Sequence, residues 1–364
     1  MFEKRLKVLQ KSLNPNKIYG LLISGAVNIA YLTGYSIFSR REREAYLFVA
    51  ETNIMLFTDG RYIEGVRTKL PKGVRVFLHT ELFKKVKASR AKKVGIEHNF
   101  TVAELKKFRN KTGKKFVLVE QIVENLRAVK DPEEIKNIKA ACRLTDKTFK
   151  VVRKLIKTGV TEKEIAWKIE KFIKEDGGEL AFDPIVAFGP NSAIPHHKTS
   201  NKKLTNKDQF VLLDFGAKVN GYCSDMTRTL LTKRASTKAR KMYESVQTAQ
   251  RKVIECINKK WYDRSYHQRS PIKALEVAKI ANAYIVSNGF EQIPHGLGHG
   301  VGLEVHEEPR ISPKSKGKLV RDMIFTIEPG IYTPGFGGVR IEDDYLLSNK
   351  LERLTKSPKQ IIEI

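Results

Sequence analysis

Five ionisable side chains interrupt apolar, strand-like runs in three separate segments of this 364-residue chain. They are Asp214, Asp225, His299, Glu328 and Glu342, in the strings LLDFGAKVNGYCSDMTRT, HGLGHGVGLEVHEEP and TIEPGIYTPGFGGVRIEDD. A buried ionised carboxylate is destabilised by several kcal/mol unless it is paired or coordinated. Four carboxylates with one imidazole suit a pair of divalent ions used in hydrolysis. The fold is therefore expected to bring the three segments together around metal.

The first two acids lie in a predicted β-hairpin. Strands are predicted over 210–215 and 222–227, because Asn220 and Gly221 both tolerate the positive φ of a two-residue turn. The implied pairs are Val219 with Tyr222, Gly216 with Asp225 and Asp214 with Thr227. Asp214 and Asp225 are then diagonal neighbours roughly 7–8 Å apart, and Gly216 is expected to leave room for ions there. A solvated acid pair is the alternative, and the apolar run before Asp214 disfavours it.

The other two segments add two glutamates and a group of histidines. Glu328 ends an apolar run before Pro-Gly, while Arg340 and Glu342 share one face of a predicted strand. Taken singly, each glutamate is also typical of an exposed strand end, and His299 of a loop. Five of the eight histidines nevertheless fall in two short apolar or glycine-rich strings, which favours a site; they are His196, His197, His295, His299 and His306.

These motifs resemble the superfamily of methionine aminopeptidases, Xaa-Pro aminopeptidases and prolidases, which has the pita-bread fold. The resemblance runs from residue 126 to the end of the sequence through NGYCSDMTRT, GHGVGLEVHEEP, TIEPG and GGVRIED. NIAYLTGY and TDGRY carry a weaker resemblance to the creatinase-type amino-terminal domain. The implied organisation is an α/β creatinase-like domain over residues 1–125. A pita-bread catalytic domain over 126–364 follows, with an antiparallel sheet flanked by helices.

The resemblance also implies a metal centre and its chemistry. Two divalent ions, with manganese preferred and cobalt, iron or zinc as alternatives, would be held by Asp214, Asp225, His299, Glu328 and Glu342. The ions would lower the pKa of a shared water, so that a bridging hydroxide attacks the peptide carbonyl. Glu328 is the candidate for moving the proton of that water.

The resemblance further implies that several residues face the substrate. His196 and His306 are expected to be catalytic, by stabilising the oxyanion or donating to the leaving amine. His295 and Arg340 are expected to bind substrate, with structural hydrogen bonds or a salt bridge as the alternative for each. The sequence leaves open whether His196 or His197 faces the substrate. His196 is favoured because it directly follows Pro195.

Local patterns predict the elements that support these sites. Strands are predicted at 19–24, 46–50, 54–58, 74–78, 94–97 and 116–119, with helices between them, as in an α/β domain. Thr101 with Glu104, and Thr161 with Glu164, form capping-box patterns that start helices. Pro132 is expected in the first turn of a long helix that follows the domain boundary.

The formal net charge of +28 raises the question of a polyanionic partner. It is shared between both halves, so a lysine-rich solvated surface is the favoured interpretation over attraction to nucleic acid. If nucleic acid does bind, the insert from Trp261 to Arg269, within the basic, aromatic stretch 259–270, is the expected contact, since its aromatic side chains can stack on bases.

Composition excludes several other classes of protein. Three cysteines give no disulfide framework. No apolar run reaches the roughly 18–20 residues that span a membrane, and the first residues lack the apolar segment of a signal peptide. The chain is therefore expected to be cytoplasmic, without a membrane association, and the resemblance implies a homodimer.

Three functions remain in view. The leading one is hydrolysis of the Xaa-Pro bond at the amino terminus of proline-containing peptides, as an Xaa-Pro aminopeptidase or an Xaa-Pro dipeptidase. The second is a non-catalytic nucleic-acid or protein-binding member of the same fold with a basic surface. The third is an amidinohydrolase similar to creatinase, which the complete ligand set disfavours.

Overall fold

The six strands predicted in the first half of the chain form one mixed sheet in the computed structural model, which describes residues 1–261 and 270–364. Each strand lies within one residue of its predicted ends; they are β1 (Gly20–Ile23), β2 (Ala45–Ala50), β3 (Ile54–Thr58), β4 (Val74–Leu78), β5 (Lys93–Ile96) and β6 (Lys115–Leu118). The sheet order is β4-β3-β2-β1-β5-β6. β1, β2 and β3 pair antiparallel, and the other neighbours pair parallel.

The helices of this half follow from local sequence signals. They are α1 (Phe2–Leu13), α2 (Ala26–Thr33), α3 (Ile63–Arg67), α4 (Leu82–Ala88), α5 (Val102–Thr112) and α6 (Ile122–Ala128). The capping box at α5 is confirmed, because the Thr101 side chain accepts from the Glu104 N–H and the Glu104 side chain accepts from the Thr101 N–H. Phe48, Phe57 and Phe108 are buried between sheet and helices.

The chain divides into two units, Met1–Arg127 and Ala128–Ile364, where the sequence predicts a boundary between residues 125 and 126. Four long helices belong to the second unit: α7 (Pro132–Val152), α8 (Glu162–Glu175), α9 (Thr237–Trp261) and α10 (Ala274–Ser287). Pro132 lies in the first turn of α7 as predicted, and the capping box of Thr161 and Glu164 starts α8. Among the described residues, no helix combines the length and apolar character needed to cross a membrane.

Antiparallel pairs join the strands of the second unit, as predicted. The strands are β7 (Glu179–Leu180), β8 (Ile185–Phe188), β9 (Phe210–Phe215), β10 (Ala217–Val219), β11 (Tyr222–Cys223), β12 (Met226–Leu231), β13 (Ile272–Lys273), β14 (Gly298–Gly300), β15 (Glu307–Ile311), β16 (Lys318–Leu319), β17 (Ile324–Ile327), β18 (Gly330–Thr333), β19 (Gly337–Arg340), β20 (Asp343–Leu347) and β21 (Leu351–Arg353). The two main sheets have the orders β12-β9-β8 and β15-β14-β17-β20-β21.

Helices cover both sheets and create two buried cores. α7 and α8 pack with the three-stranded sheet around side chains such as Phe149, Ile169 and Leu213. α9 and α10 pack with the five-stranded sheet around side chains such as Val253 and Phe325. The mixed fold class, with helices flanking antiparallel sheets, is thereby confirmed. These covered sheets provide the rigid frame for the functional side chains.

Most of the stretch proposed for nucleic-acid contact, residues 262–269, lies outside the described residues. Its first aromatic residue is described, however. Trp261 is only 3% exposed, and its indole N–H donates to the Ser348 carbonyl at 2.8 Å. The expectation that Trp261 contributes to base stacking is therefore wrong, because the ring packs in the core of the second unit.

Candidate metal centre

The hairpin that carries the first two acids has the predicted turn and register. Asn220 and Gly221 have φ of 50° and 84°, as a type I′ turn requires. Two predicted pairs are present, Val219 with Tyr222 and Asp214 with Thr227. At Gly216 the ladder is interrupted, and a side chain there would meet the Ser224 carbonyl oxygen. The expectation that Gly216 leaves room for ions is wrong, because the backbone of Ser224 on the opposite strand fills the space beside this glycine.

The other three ligand candidates come from the five-stranded sheet. His299 is the middle residue of β14, Glu328 directly follows β17, and Glu342 directly precedes β20. Glu342 also joins this sheet to the hairpin, because its N–H donates to the Thr227 carbonyl at 3.1 Å. Its Oε2 accepts a hydrogen bond from Thr227 Oγ1 at 2.7 Å. Strand ends from both sheets therefore meet at one place.

All five candidates line one open cavity of about 570 Å³. Asp225, His299 and Glu342 can each offer a ligand atom such that the three atoms lie within 4.8 Å of one another. His299 Nε2 lies 3.6 Å from Asp225 Oδ2 and 3.5 Å from Glu328 Oε1. Asp214 lies at the same cavity on the hairpin. The structure thus brings together every residue that the sequence proposed as a metal ligand.

Three oxygens in this cluster are buried and accept no hydrogen bond from the residues that the structure describes: Asp214 Oδ1, Asp225 Oδ1 and Glu342 Oε1. Buried polar atoms in native proteins are almost always satisfied, since an unsatisfied acceptor is costly. Hard carboxylate oxygens beside an imidazole nitrogen are ligands that divalent cations accept. The residues present therefore fit a divalent metal site.

The carboxylates of the cluster repel one another in the metal-free protein. Burial, followed by the charge of Glu342, raises the pKa of Asp225 and that of Glu328 well above their ordinary values. Burial, followed by the charge of Asp214, raises the pKa of Glu342 to about 7. Without a cation, the site therefore retains protons near neutral pH.

His299 is prepared to act as a ligand in its neutral form. Burial, followed by the nearby His306, lowers the pKa of His299 to about 3. Its Nδ1 lies 3.1 Å from the Gly300 carbonyl, an acceptor, so Nδ1 carries the proton. The lone pair of Nε2 then points toward Asp225 and Glu328.

Several buried groups that orient the ligands have no signal in the sequence pattern. Asp344 Oδ2 accepts from the Asp225 N–H at 2.9 Å and from Cys142 Sγ at 3.3 Å. Gln250 of α9 donates through Nε2 to the carbonyls of Ile327 at 3.0 Å and Ile341 at 3.2 Å. These carbonyls immediately precede the two candidate ligand glutamates, Glu328 and Glu342, so one amide ties together the strand ends that carry them.

The two adjacent histidines, His196 and His197, lie in different surroundings. His196 lines the cavity, together with His295 and His306. His197 instead lies 2.9 Å from Glu162 Oε2 through its Nε2. The His306 ring centroid is 4.3 Å from that of His299, next to the ligand cluster. His196 and His306 are therefore placed where a substrate would lie, and their catalytic roles stay predictions.

His295 and Arg340 also line the cavity, but the polar atoms of both side chains contact other groups of the protein. His295 contacts the Gly296 carbonyl through Nδ1 at 2.7 Å and the Tyr332 hydroxyl through Nε2 at 2.8 Å. Arg340 donates to Asp214 Oδ2, and at 2.9 Å to the same tyrosine hydroxyl. Arg340 thus orients Asp214, and substrate binding by either residue stays a prediction.

Arg310 is a cavity residue that sequence reasoning missed. It lies on β15 directly opposite His299, and its side chain is exposed at the cavity. Among the described residues, its guanidinium has no ion-pair partner. The available signal was its place in HEEPR, four residues after His306.

Carboxylates with unsatisfied oxygens, a neutral imidazole and further histidines around an open cavity define a metal-dependent hydrolase. The family model described as "Metallopeptidase family M24" matches residues 136–349. A second model, described as "Creatinase/Prolidase N-terminal domain", matches residues 5–129. The chain belongs to metallopeptidase family M24.

Relatives are similar over their whole length. The chain is 34% identical to the Xaa-Pro dipeptidase of Pyrococcus furiosus, over 99% of this chain and 100% of that protein. It resembles the structure of an Xaa-Pro dipeptidase from Bacillus anthracis with a TM-score of 0.90 and 31% identity, covering 100% of both chains. An X-Pro aminopeptidase from Thermotoga maritima matches with a TM-score of 0.84 and 29% identity, covering 99% of both chains. Both activities therefore occur among the relatives.

Proposed function

We propose that this metallopeptidase hydrolyses the Xaa-Pro bond of dipeptides, using two divalent ions held by Asp214, Asp225, His299, Glu328 and Glu342. The observation that carries the proposal is the set of buried carboxylate oxygens without partners at the cavity. We propose manganese as the metal, because four of the five ligands are hard carboxylates. Cobalt, iron and zinc remain alternatives.

The residues of the cavity have separate tasks in this reaction. When bound, a pair of divalent ions lowers the pKa of a shared water and polarises the peptide carbonyl. Glu328 turns Oε1 toward His299 and Oε2 toward His295 Nδ1, 3.8 Å away. With Oε1 turned toward His299, Oε2 would take the proton of the attacking water and pass it to the proline nitrogen as the C–N bond breaks.

Two histidines complete the site on the substrate side. Burial lowers the pKa of His306, so the ring is neutral near pH 7 and can donate one hydrogen bond. His306 and His196 would donate to the carbonyl oxygen as it becomes negatively charged, or to the leaving amine, and their position in the cavity wall supports these roles. Arg340 holds Asp214 while this occurs.

Arg310 favours a dipeptide over a longer peptide. A dipeptide carries a free carboxylate directly after proline, whereas a longer peptide has a neutral amide there. An arginine fork binds a carboxylate with two parallel hydrogen bonds. Because the Arg310 side chain is exposed at the cavity opposite His299, it supplies this partner.

The test is hydrolysis of an Xaa-Pro dipeptide and an Xaa-Pro-Xaa tripeptide by chelated protein, with and without added Mn²⁺. Metal-dependent cleavage confined to the dipeptide supports the proposal. Preference for the tripeptide would make the protein an aminopeptidase instead. If the folded protein cleaves neither peptide with any divalent metal, the peptidase assignment fails.

The complete ligand set does not favour the alternative of a non-catalytic binding module. Association as a homodimer and residence in the cytoplasm stay predictions. The relatives described above are Xaa-Pro dipeptidases and an X-Pro aminopeptidase, which supports hydrolysis over binding of nucleic acid.

A further inference from the structure

The cavity wall that carries His196 is a segment without an α-helix or strand of its own. Between the end of β8 at Phe188 and the next strand β9, the chain forms only a 3₁₀ turn over Gly189–Ala193. Irregular segments lack the ladder hydrogen bonds that fix a strand. A precisely placed side chain on such a segment requires other interactions to hold it.

One buried carboxylate supplies those interactions. Glu162, the first residue of α8, is 0% exposed. Its Oε1 accepts from the Phe188 N–H at 2.9 Å and from Asn191 Nδ2 at 2.8 Å. Its Oε2 lies 2.9 Å from His197 Nε2, and accepts from the Ser200 N–H at 2.9 Å and hydroxyl at 2.6 Å. Five donors from both sides of His196 thus converge on one carboxylate.

The charge state of Glu162 agrees with this arrangement. Burial alone would raise the pKa of this carboxyl, but the hydrogen bonds led by those from Ser200 and His197 outweigh burial and lower it. A carboxylate accepts from all five donors only when it is ionised, since a protonated carboxyl would turn an O–H toward one of them. His197 therefore donates through Nε2.

The opposite side of the segment is tied to the strand that orients Asp214. Ser192 Oγ accepts from the Gly338 N–H at 2.8 Å, and the Pro195 carbonyl accepts from Arg340 Nη1 at 3.3 Å. The segment is therefore held between α8 and β19. Glu162 itself does not line the cavity, so it can act on the reaction only through the segment.

We propose that Glu162, with His197 as one of its side-chain partners, is a positioning residue that fixes His196 on the substrate side of the cavity. This inference rests on the proposed peptidase function. It assigns the two adjacent histidines different tasks: His196 faces the substrate, and His197 anchors the segment.

The first variant is Glu162→Gln, which keeps the shape of the side chain but replaces one acceptor by a donor. We expect kcat/KM for an Xaa-Pro dipeptide to fall roughly 100-fold, as misplacement of a reacting group does. Binding of Mn²⁺, measured by calorimetric titration, should change less than about twofold, because no metal ligand touches Glu162. The matched control is Glu164→Gln, since Glu164 caps the same helix through Thr161 and glutamine also serves in a capping box.

A milder pair of variants covers the case in which Glu162→Gln does not fold. His197→Ala removes one of the five donors and should lower kcat/KM roughly tenfold. His197→Gln restores a side-chain N–H at a similar reach and should recover most of that loss. A merely structural role would lower the melting temperature without this recovery of kcat/KM.

The decisive measurement is a double-mutant cycle with His196→Ala. If Glu162 and His197 act through His196, their substitution in the His196→Ala background should lower kcat/KM by less than about twofold. An equal loss in both backgrounds would overturn the inference, as would full activity of folded Glu162→Gln or His197→Ala. Inactivity of the wild-type protein on every peptide would instead overturn the proposed function, so the two failures are distinguishable.

Discussion

Glu342→Gln should stabilise the metal-free protein at alkaline pH, although it removes a proposed metal ligand. Glu342 is 2% exposed, and burial followed by the charge of Asp214 raises its pKa from 4.5 to about 7. In the unfolded chain the same carboxyl is solvated and ionises near 4.5. Between these two values the folded protein binds more protons than the unfolded chain, so stability falls as pH rises.

The size of the effect follows from the shift. One pKa unit corresponds to about 1.4 kcal/mol, so this shift destabilises the folded state by about 3 kcal/mol once the pH exceeds the folded pKa. The loss of stability begins as the pH rises past the pKa of Glu342 in the unfolded chain and is complete above its pKa in the folded protein. Glutamine does not titrate, so the Glu342→Gln variant does not undergo this loss of stability. For a unit of this size, the difference amounts to roughly 6–12 °C in melting temperature.

Urea denaturation in the presence of a chelator, at about pH 4.5 and about pH 8, measures the free energy of unfolding of both proteins. Burial lowers the pKa of His295 to about 4 and that of His299 to about 3, which makes stability rise with pH below the unfolded histidine value. Both proteins contain these histidines, so their contribution largely cancels. A difference in stability between wild type and variant that does not change with pH would refute the reasoning. Added Mn²⁺ should favour the wild type at the higher pH.

Three further substitutions test separate parts of the site. Arg310→Ala should raise KM for an Xaa-Pro dipeptide at least roughly tenfold and leave a tripeptide almost unaffected, because only the dipeptide has a carboxylate after proline. Gln250→Leu should weaken Mn²⁺ binding roughly 10–100-fold in calorimetric titration, since it frees both strand ends that carry ligand glutamates. Gly216→Ala should lower the urea midpoint by an amount equivalent to about 1–3 kcal/mol. Its control is Gly60→Ala, where an added methyl group meets no atom within 4 Å.

Short-range patterns predicted much of the frame. The hairpin register follows from two adjacent residues, because a two-residue turn at Asn220 and Gly221 leaves one pairing that keeps the apolar face buried. The same locality explains why the strands of the first half were predicted within one residue. The assembly of the five ligands depended on resemblance to a family, because no local pattern states which strand ends meet.

Contacts between distant segments could not be predicted in this way. Glu162 is separated by 26 residues from Phe188 and by 38 from Ser200. Arg340 shares a strand face with Glu342 in the sequence pattern, yet its guanidinium donates to Asp214, which is 126 residues away. Alternation along a strand determines which face a side chain occupies, whereas the neighbouring strand determines its partner.

The repulsion within the ligand cluster makes metal binding and folding stability interdependent. A free metal concentration about 100 times Kd adds about 2.7 kcal/mol to the stability of a protein that binds only when folded. That gain is similar to the loss of about 3 kcal/mol calculated for Glu342 alone at alkaline pH. Asp225 and Glu328 have pKa values raised in the same direction, so their losses add to it. Stability at alkaline pH should therefore increase strongly when metal binds, whereas at acidic pH bound protons already reduce the repulsion and the dependence on metal should weaken.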